Sequence, residues 1–176
     1  MKRNREIVTT QLAKTGLTVV YHSGDDGSYQ IGKNWPIPRF TIQENIDCVK
    51  DNLTGLIWAK DANINGRDTW NNQITFCNNL SYGGHDDWRM PNRNEMASLM
   101  DYGNTFPALP TGHPFVNVMA RYYTEANWAD GWGDFYWTST TYAGNSSQAF
   151  WHQVWDTWST IENKTSLYFV WPVRGP

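Results

Sequence analysis

The sequence is poor in charged residues and contains no long apolar run. Charged residues make up only 18% of the 176 residues, and the formal net charge is -3. Such a surface does not attract phosphate backbones non-specifically, so we expect no nucleic-acid partner. No apolar stretch approaches the roughly 20 residues that span a bilayer, so we also expect no membrane span.

Cysteine is almost absent as well. Cys48 and Cys77 are the only two in the chain. Two cysteines fit one disulfide as well as two free, buried thiols. A bridge between them would close a loop of roughly 30 residues and would stabilise the fold by about 3–4 kcal/mol in the chain-entropy model.

Aromatic side chains, in contrast, are abundant. Tryptophan alone accounts for 11 residues, and aromatics make up 15% of the chain. Hydrophobic residues reach 40%, which is enough for one domain with a substantial core. The excess of aromatics favours either a rigid fold or an aromatic-rich binding face.

Residues 1–39 are expected to form an extended lead-in. The basic start, Met1–Arg5, resembles the beginning of a signal peptide, but no apolar stretch follows it. The lead-in is rich in Gly, Pro and polar turn formers, which favour loops. At Asp25-Asp26-Gly27, a turn in which Asp side chains bond nearby amides is favoured over a calcium loop. We expect one domain over residues 40–176.

Strands are expected near both ends of this domain. Cys48–Lys50 and Leu56–Trp58 predict a β-hairpin, because Asp51–Gly55 supplies turn residues between them. A short strand is expected around Trp88–Met90. Three further strands are predicted in "FYWTSTTYAG", "QAFWHQVWDTW" and "SLYFVWPVRG".

Two helices are expected between these strands. An apolar stripe at helical spacing predicts the first, with Asp68 or Thr69 as its N-cap. The members of the stripe are Trp70, Ile74, Cys77 and Leu80. Asn92 and Glu95 form a capping-box pattern at the start of the second helix. The order of elements predicts a single α+β domain, with both helices packed on a mainly antiparallel sheet and joined by long loops.

The domain resembles a known bacterial family. The stretches that carry the resemblance are "DNLTGLIWAKDAN", "TWNNQITFCNNLSYGGHDDWRMPNRNEMASLMDYG", "YWTSTTYAGN" and "NKTSLYFVWPVRG". They are similar to the family typified by the C-terminal domain of the Legionella collagen-like adhesin. That family is similar in pattern to C-type-lectin-like folds. The closing "FVWPVRG" also resembles the end of variable proteins that are diversified by retroelements.

The resemblance implies a secreted, periplasmic or surface-bound module that is sometimes trimeric. Its expected partner is a glycan or a protein ligand on another cell or host surface. The tripeptides by which calcium-dependent C-type lectins hold sugars are absent, since Met90-Pro91-Asn92 lacks the carboxylate. Calcium is therefore not supported, and no other cofactor is expected. Two alternatives stay open: a hypervariable display protein of a diversity-generating retroelement, and a structural or oligomerisation module.

No enzymatic activity is expected. The sequence has no nucleophile motif, phosphate loop or metal-ligand spacing. The similar formylglycine-generating fold uses active cysteines, but Cys77 is expected on a buried helix face and Cys48 in a hairpin, where thiols are structural.

Two departures from the family favour a binding surface in this chain. An insertion near residues 120–135 adds aromatic residues, including Tyr122 and Tyr123. The segment "AFWHQVWDTW" carries tryptophan where family members tend to have Tyr or Asn. Because side chains alternate along a strand, Phe150 and Val154 of this segment suit the core.

His152 lies between them and is expected to be a satisfied core histidine. The opposite face and the next turn are expected to form an exposed aromatic surface. Its ligand-binding residues are expected to be Trp151, Gln153, Trp155, Asp156, Trp158, Tyr142, Trp128 and Trp132. The alternative is that a second layer, for example the insertion, covers these tryptophans.

Overall fold

The computed structural model describes residues 12–120 and 134–175. The helices in these ranges are α1 (Asp26–Tyr29), α2 (Trp70–Asn78) and α3 (Arg93–Ser98). The strands there are β1 (Phe40–Ile42), β2 (Cys48–Asp51), β3 (Ile57–Ala59), β4 (Phe135–Thr141), β5 (Gln148–Gln153), β6 (Ser159–Asn163) and β7 (Val173–Arg174). The predicted α+β class is confirmed. None of the helices in these ranges is long and apolar enough to cross a membrane.

The strands form two antiparallel sheets. The first has the order β1-β2-β3-β7, and the second has the order β4-β5-β6. The predicted hairpin is confirmed, because β2 pairs with β3 and Cys48 lies opposite Ala59. Its turn contains Gly55 at a φ of 81°, a left-handed conformation that glycine adopts without steric penalty.

Both predicted helices are present with the predicted starts. Thr69 is the N-cap of α2, and Asp68 holds this start by accepting a hydrogen bond from the Thr69 amide at 2.7 Å. Asn92 caps α3 in a capping box, because its side chain accepts from the Glu95 amide while Glu95 accepts from the Asn92 amide. The box defines where α3 begins, and α3 lines the site described below.

The strand predictions near the carboxyl terminus are only partly right. β4 and β5 lie where strands were expected, but β5 ends at Gln153 and residues 154–158 form a turn. β6 occupies a segment that was predicted to be a connection. It escaped prediction because it is an edge strand of mostly polar, half-buried residues, which give little apolar alternation.

The segment "SLYFVWPVRG" is not a continuous strand either. Only β7 belongs to a sheet, and the residues before it connect the two sheets. The Phe169 amide donates to the Phe135 carbonyl, and the Ala59 amide donates to the Pro172 carbonyl. Trp88–Met90 likewise forms no strand, only a bridge between Arg89 and Val173. Apolar alternation marks these segments as buried, but they cross between sheets and form no ladder.

The core consists of two apolar clusters, and each contains one cysteine. Cys48 belongs to the cluster around Trp58 and Trp171, and Cys77 belongs to the cluster around Trp137. Both cysteines are free and fully buried. The disulfide alternative is therefore wrong, and the alternative of two buried thiols is right. Burial raises the pKa of the Cys77 thiol to about 12, so this thiol stays protonated.

The described part of the lead-in, residues 12–39, packs on the body of the domain. The Tyr102 amide of the body donates to the Thr15 carbonyl at 2.9 Å, and within the lead-in the indole Nε1 of Trp35 donates to the Lys14 carbonyl at 2.8 Å. Asp25 accepts hydrogen bonds from nearby backbone amides, including that of Ser28 at 2.8 Å, which confirms the predicted Asp turn. This turn starts the one-turn helix α1, which was not predicted.

Candidate functional site

The central strand β5 is covered on both faces, so the expected outward face is wrong. Trp151 is 5% exposed and Gln153 is 1% exposed. The Trp151 ring packs on Phe135, with ring centroids 4.2 Å apart. On the other side, the Arg93 guanidinium of α3 lies 4.4 Å from the Phe150 ring centroid. Because helix and core layers cover both sides, alternation along β5 does not separate surface from core. The alternative of a covering layer is right for Trp151 and Gln153.

The exposed aromatic of this segment is Trp158, in the turn after β5. It is 58% exposed. The turn is closed by the Gln153 amide, which donates to the Trp158 carbonyl at 2.8 Å. The Trp158 amide donates to Asp156 Oδ1 at 3.1 Å, so Asp156 shapes the turn. The Trp158 ring meets the buried Trp151 ring edge-on, with ring centroids 5.4 Å apart. The exposed ring therefore packs against a core side chain.

Trp155 is partly exposed, as predicted, and is held in a stacked pair. Its ring lies parallel to that of Phe106, with centroids 5.5 Å apart and an interplanar angle of 10°. The Phe106 amide donates to the Trp155 carbonyl at 3.2 Å. Its role in binding stays a prediction.

A groove of about 410 Å³ lies beside Trp158, between α3 and the start of β6. Tyr102 and Trp158 give it two exposed aromatic walls, at 50% and 58% exposure. The groove is lined by Arg93, Asn94, Ala97, Tyr102, His152, Thr157, Trp158 and Ser159. We call this the Trp158 groove.

His152 lies under the Trp158 groove and is 2% exposed. It was expected to be a satisfied core histidine; it is buried, but neither ring nitrogen has a hydrogen-bond partner within the described residues. Burial, and then the positive charge of Arg93, lower the pKa of His152 to about 4. The ring is therefore neutral at pH 7, with one donor and one acceptor unused. Unpaired buried polar atoms are rare in folded proteins and call for a reason.

Arg93 supplies the charge of the groove. Its Nε donates to the Ser159 hydroxyl at 3.3 Å, which joins α3 to β6. Among the described residues that line the groove, none is a carboxylate. The groove is therefore weakly positive around its two aromatic walls.

Among the predicted site residues that the structure describes, Trp158 alone lines the groove. Tyr142, in the turn after β4, is 36% exposed and meets Phe150 edge-on at 6.1 Å, but it does not line the groove. Trp128 and Trp132 lie outside the described residues, as do Tyr122 and Tyr123 of the insertion.

The sequence reasoning missed Tyr102 and Arg93. Tyr102 stands in "MDYG", at the end of the predicted second helix, and an aromatic in a turn was the available signal. Arg93, Asn94 and Ala97 share one face of α3 at helical spacing, and Met96 is the buried residue of this helix. That spacing indicates a shared face, but nothing in the sequence indicates that β5 and β6 meet it.

Together, the fold and the groove define a class: a small α+β domain that carries an aromatic-walled surface groove. The family model of the Lcl C-terminal domain matches residues 47–174, and the chain belongs to this family. Membership in this adhesin-associated family indicates an adhesin-like type of module. A comparison with curated proteins finds no significant match.

Proposed function

We propose that this protein is a non-enzymatic, adhesin-like binding module of the cell surface, with a C-type-lectin-like fold, that holds a glycan in the Trp158 groove. One observation carries the proposal. Two exposed aromatic rings, Trp158 and Tyr102, flank a groove whose buried His152 has no hydrogen-bond partner among the described residues.

The chemistry of the groove suits a sugar. A sugar ring has an apolar face of C–H bonds, which packs on an aromatic ring, and a rim of hydroxyls. Trp158 offers a flat apolar surface with an N–H at its edge. Asn94 and Ser159 supply neutral donors and acceptors for the hydroxyls.

Size also favours a small ligand over a protein surface. A standard protein interface buries about 800 Å² on each partner. A groove of about 410 Å³ lies within the range of small-molecule sites instead.

The groove is also rigid. Trp158 rests on the buried Trp151, and the two hydrogen bonds of its turn hold its backbone. A preformed surface loses less conformational entropy when it binds.

A glycan array on the wild-type protein and two variants tests the proposal. The wild type should bind a subset of glycans, and Trp158→Ala should weaken that binding by about tenfold or more, because the aromatic wall is lost. The matched control is Tyr29→Ala, which removes an aromatic that is 67% exposed and does not line the groove. Absence of glycan binding by the wild type, or equal binding by Trp158→Ala, would overturn the proposal.

A further inference from the structure

A second cavity lies between the lead-in and the body of the domain. Its volume is about 740 Å³, within the range of small-molecule sites. Within the part of the chain that the structure describes, it shares no lining residue with the Trp158 groove. Its lining includes Lys14, Leu17, Trp35 and Ile37 of the lead-in, and Asp101 and Pro110 of the body. The lead-in precedes residue 47, where the family match begins, so family membership assigns no role to this cavity.

Arg39 lines this cavity with a hydrogen-bonding nitrogen unused. Its side chain is 5% exposed and is paired with the buried Asp51. Nε and Nη2 donate to the two Asp51 oxygens at 2.8 and 3.0 Å, and Nη2 also donates to the Ser98 carbonyl at 2.6 Å. Nη1 is buried and has no partner in residues 12–120 and 134–175. Leaving such a charged donor unpaired is unfavourable, and an acceptor that reaches it would relieve the penalty.

The apolar wall of the cavity is also uncovered. Ile37 is 99% exposed. The Trp35 ring lines the same cavity, and the Arg39 guanidinium lies 4.6 Å from the centroid of that ring. A ligand with an apolar group would remove this surface from water, which is favourable in proportion to the area covered.

Unused hydrogen-bond donors at the cavity, rather than a net positive charge, favour an acceptor such as a carboxylate. Lys14 forms no ion pair within the described ranges. The Asp101 carboxylate is already engaged, since it accepts from the Gly103 amide and from Asn104 Nδ2, both at 2.8 Å. A ligand carboxylate therefore meets unused donors on Lys14 and Arg39.

We propose that this cavity binds a small carboxylate that carries an apolar group. The carboxylate accepts a hydrogen bond from Arg39 Nη1, and the apolar group covers Ile37 and Trp35. Nη1 is covered by protein atoms, and the Trp35 ring packs against the guanidinium, so we expect this ring to shift when the ligand enters. A free acid and the carboxyl terminus of a peptide share this chemistry.

A ¹H–¹⁵N NMR titration with N-acetyl-leucine tests this site. The reporter is the indole N–H of Trp35, assigned with Trp35→Phe, because its hydrogen bond to Lys14 changes when the ring shifts. The resonance should move and saturate with a dissociation constant of about millimolar, as expected for so small a ligand. N-acetyl-leucinamide, which lacks the carboxylate, should bind about tenfold more weakly. N-acetyl-glycyl-glycyl-leucine distinguishes a peptide carboxyl terminus from a free acid as the ligand of this site. It binds better than N-acetyl-leucine only if the cavity accepts a peptide terminus.

Two exposed positions provide a variant and its matched control. Ile37→Asp places a carboxylate on the cavity wall. It should weaken the binding of N-acetyl-leucine by about tenfold, because the two carboxylates repel each other and an apolar contact is lost. Ile31→Asp makes the same change at a residue that is 74% exposed and does not line the cavity, and it should leave affinity unchanged. No shift of the Trp35 resonance, equal binding of acid and amide, or equal loss in both variants would overturn the proposal.

Discussion

At the residue scale, two tryptophans of one segment have opposite roles. Trp151 is 5% exposed and Trp158 is 58% exposed, yet their rings touch. Alternation predicted Trp151 to be accessible, because it assumes that a strand has one solvent-exposed face, whereas Trp158 was expected to be exposed in the following turn. Only the tertiary structure shows that α3 and the second core cluster cover β5 on both sides.

This difference predicts different effects on stability. Trp151→Ala should lower the free energy of unfolding by about 3–5 kcal/mol, since it leaves a cavity in the core. Trp158→Ala should lower it by about 1 kcal/mol or less, because the ring is mainly in water. Urea unfolding of the two variants measures both changes in the free energy of unfolding. Similar losses would show that the buried and the exposed ring contribute equally to stability.

His152 predicts a pH dependence of stability. Its pKa is about 4 in the folded protein against 6.5 for the free side chain, so as the pH falls protons bind the unfolded chain first. The contribution of His152 to the free energy of unfolding should be complete above pH 6.5, fall by about 3 kcal/mol between pH 6.5 and 4, and change little below pH 4.

Urea unfolding across this pH range should show the fall in the wild type. His152→Gln is the control and should reduce the pH dependence by this amount, because glutamine does not titrate. An unchanged pH profile in His152→Gln would contradict the assignment.

At the element scale, local chemistry predicted helices and turns well, and long-range pairing poorly. The capping box at Asn92 and the hairpin turn at Gly55 are local features, and both were found where the sequence indicated. β6 was missed, and β7 was predicted too long, because pairing partners distant in the chain decide which apolar or polar segment becomes a strand. The Trp158 groove was missed for the same reason: α3, β5 and β6 build it together.

The start of α3 depends on one side chain. Asn92→Ala removes the acceptor for the Asn94 and Glu95 amides and should lower the free energy of unfolding by about 1 kcal/mol. The matched control is Asn94→Ala, on the same short helix, whose side chain caps nothing; its effect should stay within about 0.5 kcal/mol. Thermal or urea unfolding measures the difference between the two variants. Equal losses would show that the Asn92 cap does not stabilise the fold.

At the scale of the whole molecule, a buried ion pair joins the lead-in, the first sheet and α3. Asp51 is fully buried at the end of β2, and its partner Arg39 also donates to the Ser98 carbonyl of α3. The sequence could not indicate this pair, because the residues are 12 positions apart and only the fold brings the guanidinium into the core. The family resemblance, in contrast, was predicted from local motifs and is confirmed.

Asp51→Ala should therefore be severely destabilising. It leaves the Arg39 charge buried without its partner and should lower the free energy of unfolding by about 3–5 kcal/mol. Asp87→Ala is the matched control, since Asp87 pairs with Arg174 at the surface and is 55% exposed. It should cost about 1 kcal/mol or less. Chemical denaturation measures both losses of unfolding free energy. Comparable losses would show that burial of the Arg39–Asp51 pair does not increase its effect on stability.

The central claim is that the Trp158 groove holds a glycan, and a crystal structure of the protein with its best array glycan tests it most directly. We predict a sugar ring packed on Trp158 with Tyr102 beside it, and hydroxyls within hydrogen-bonding distance of Asn94, Arg93 or the ring of His152. A glycan bound at another surface, with the Trp158 groove free of sugar, would contradict the claim.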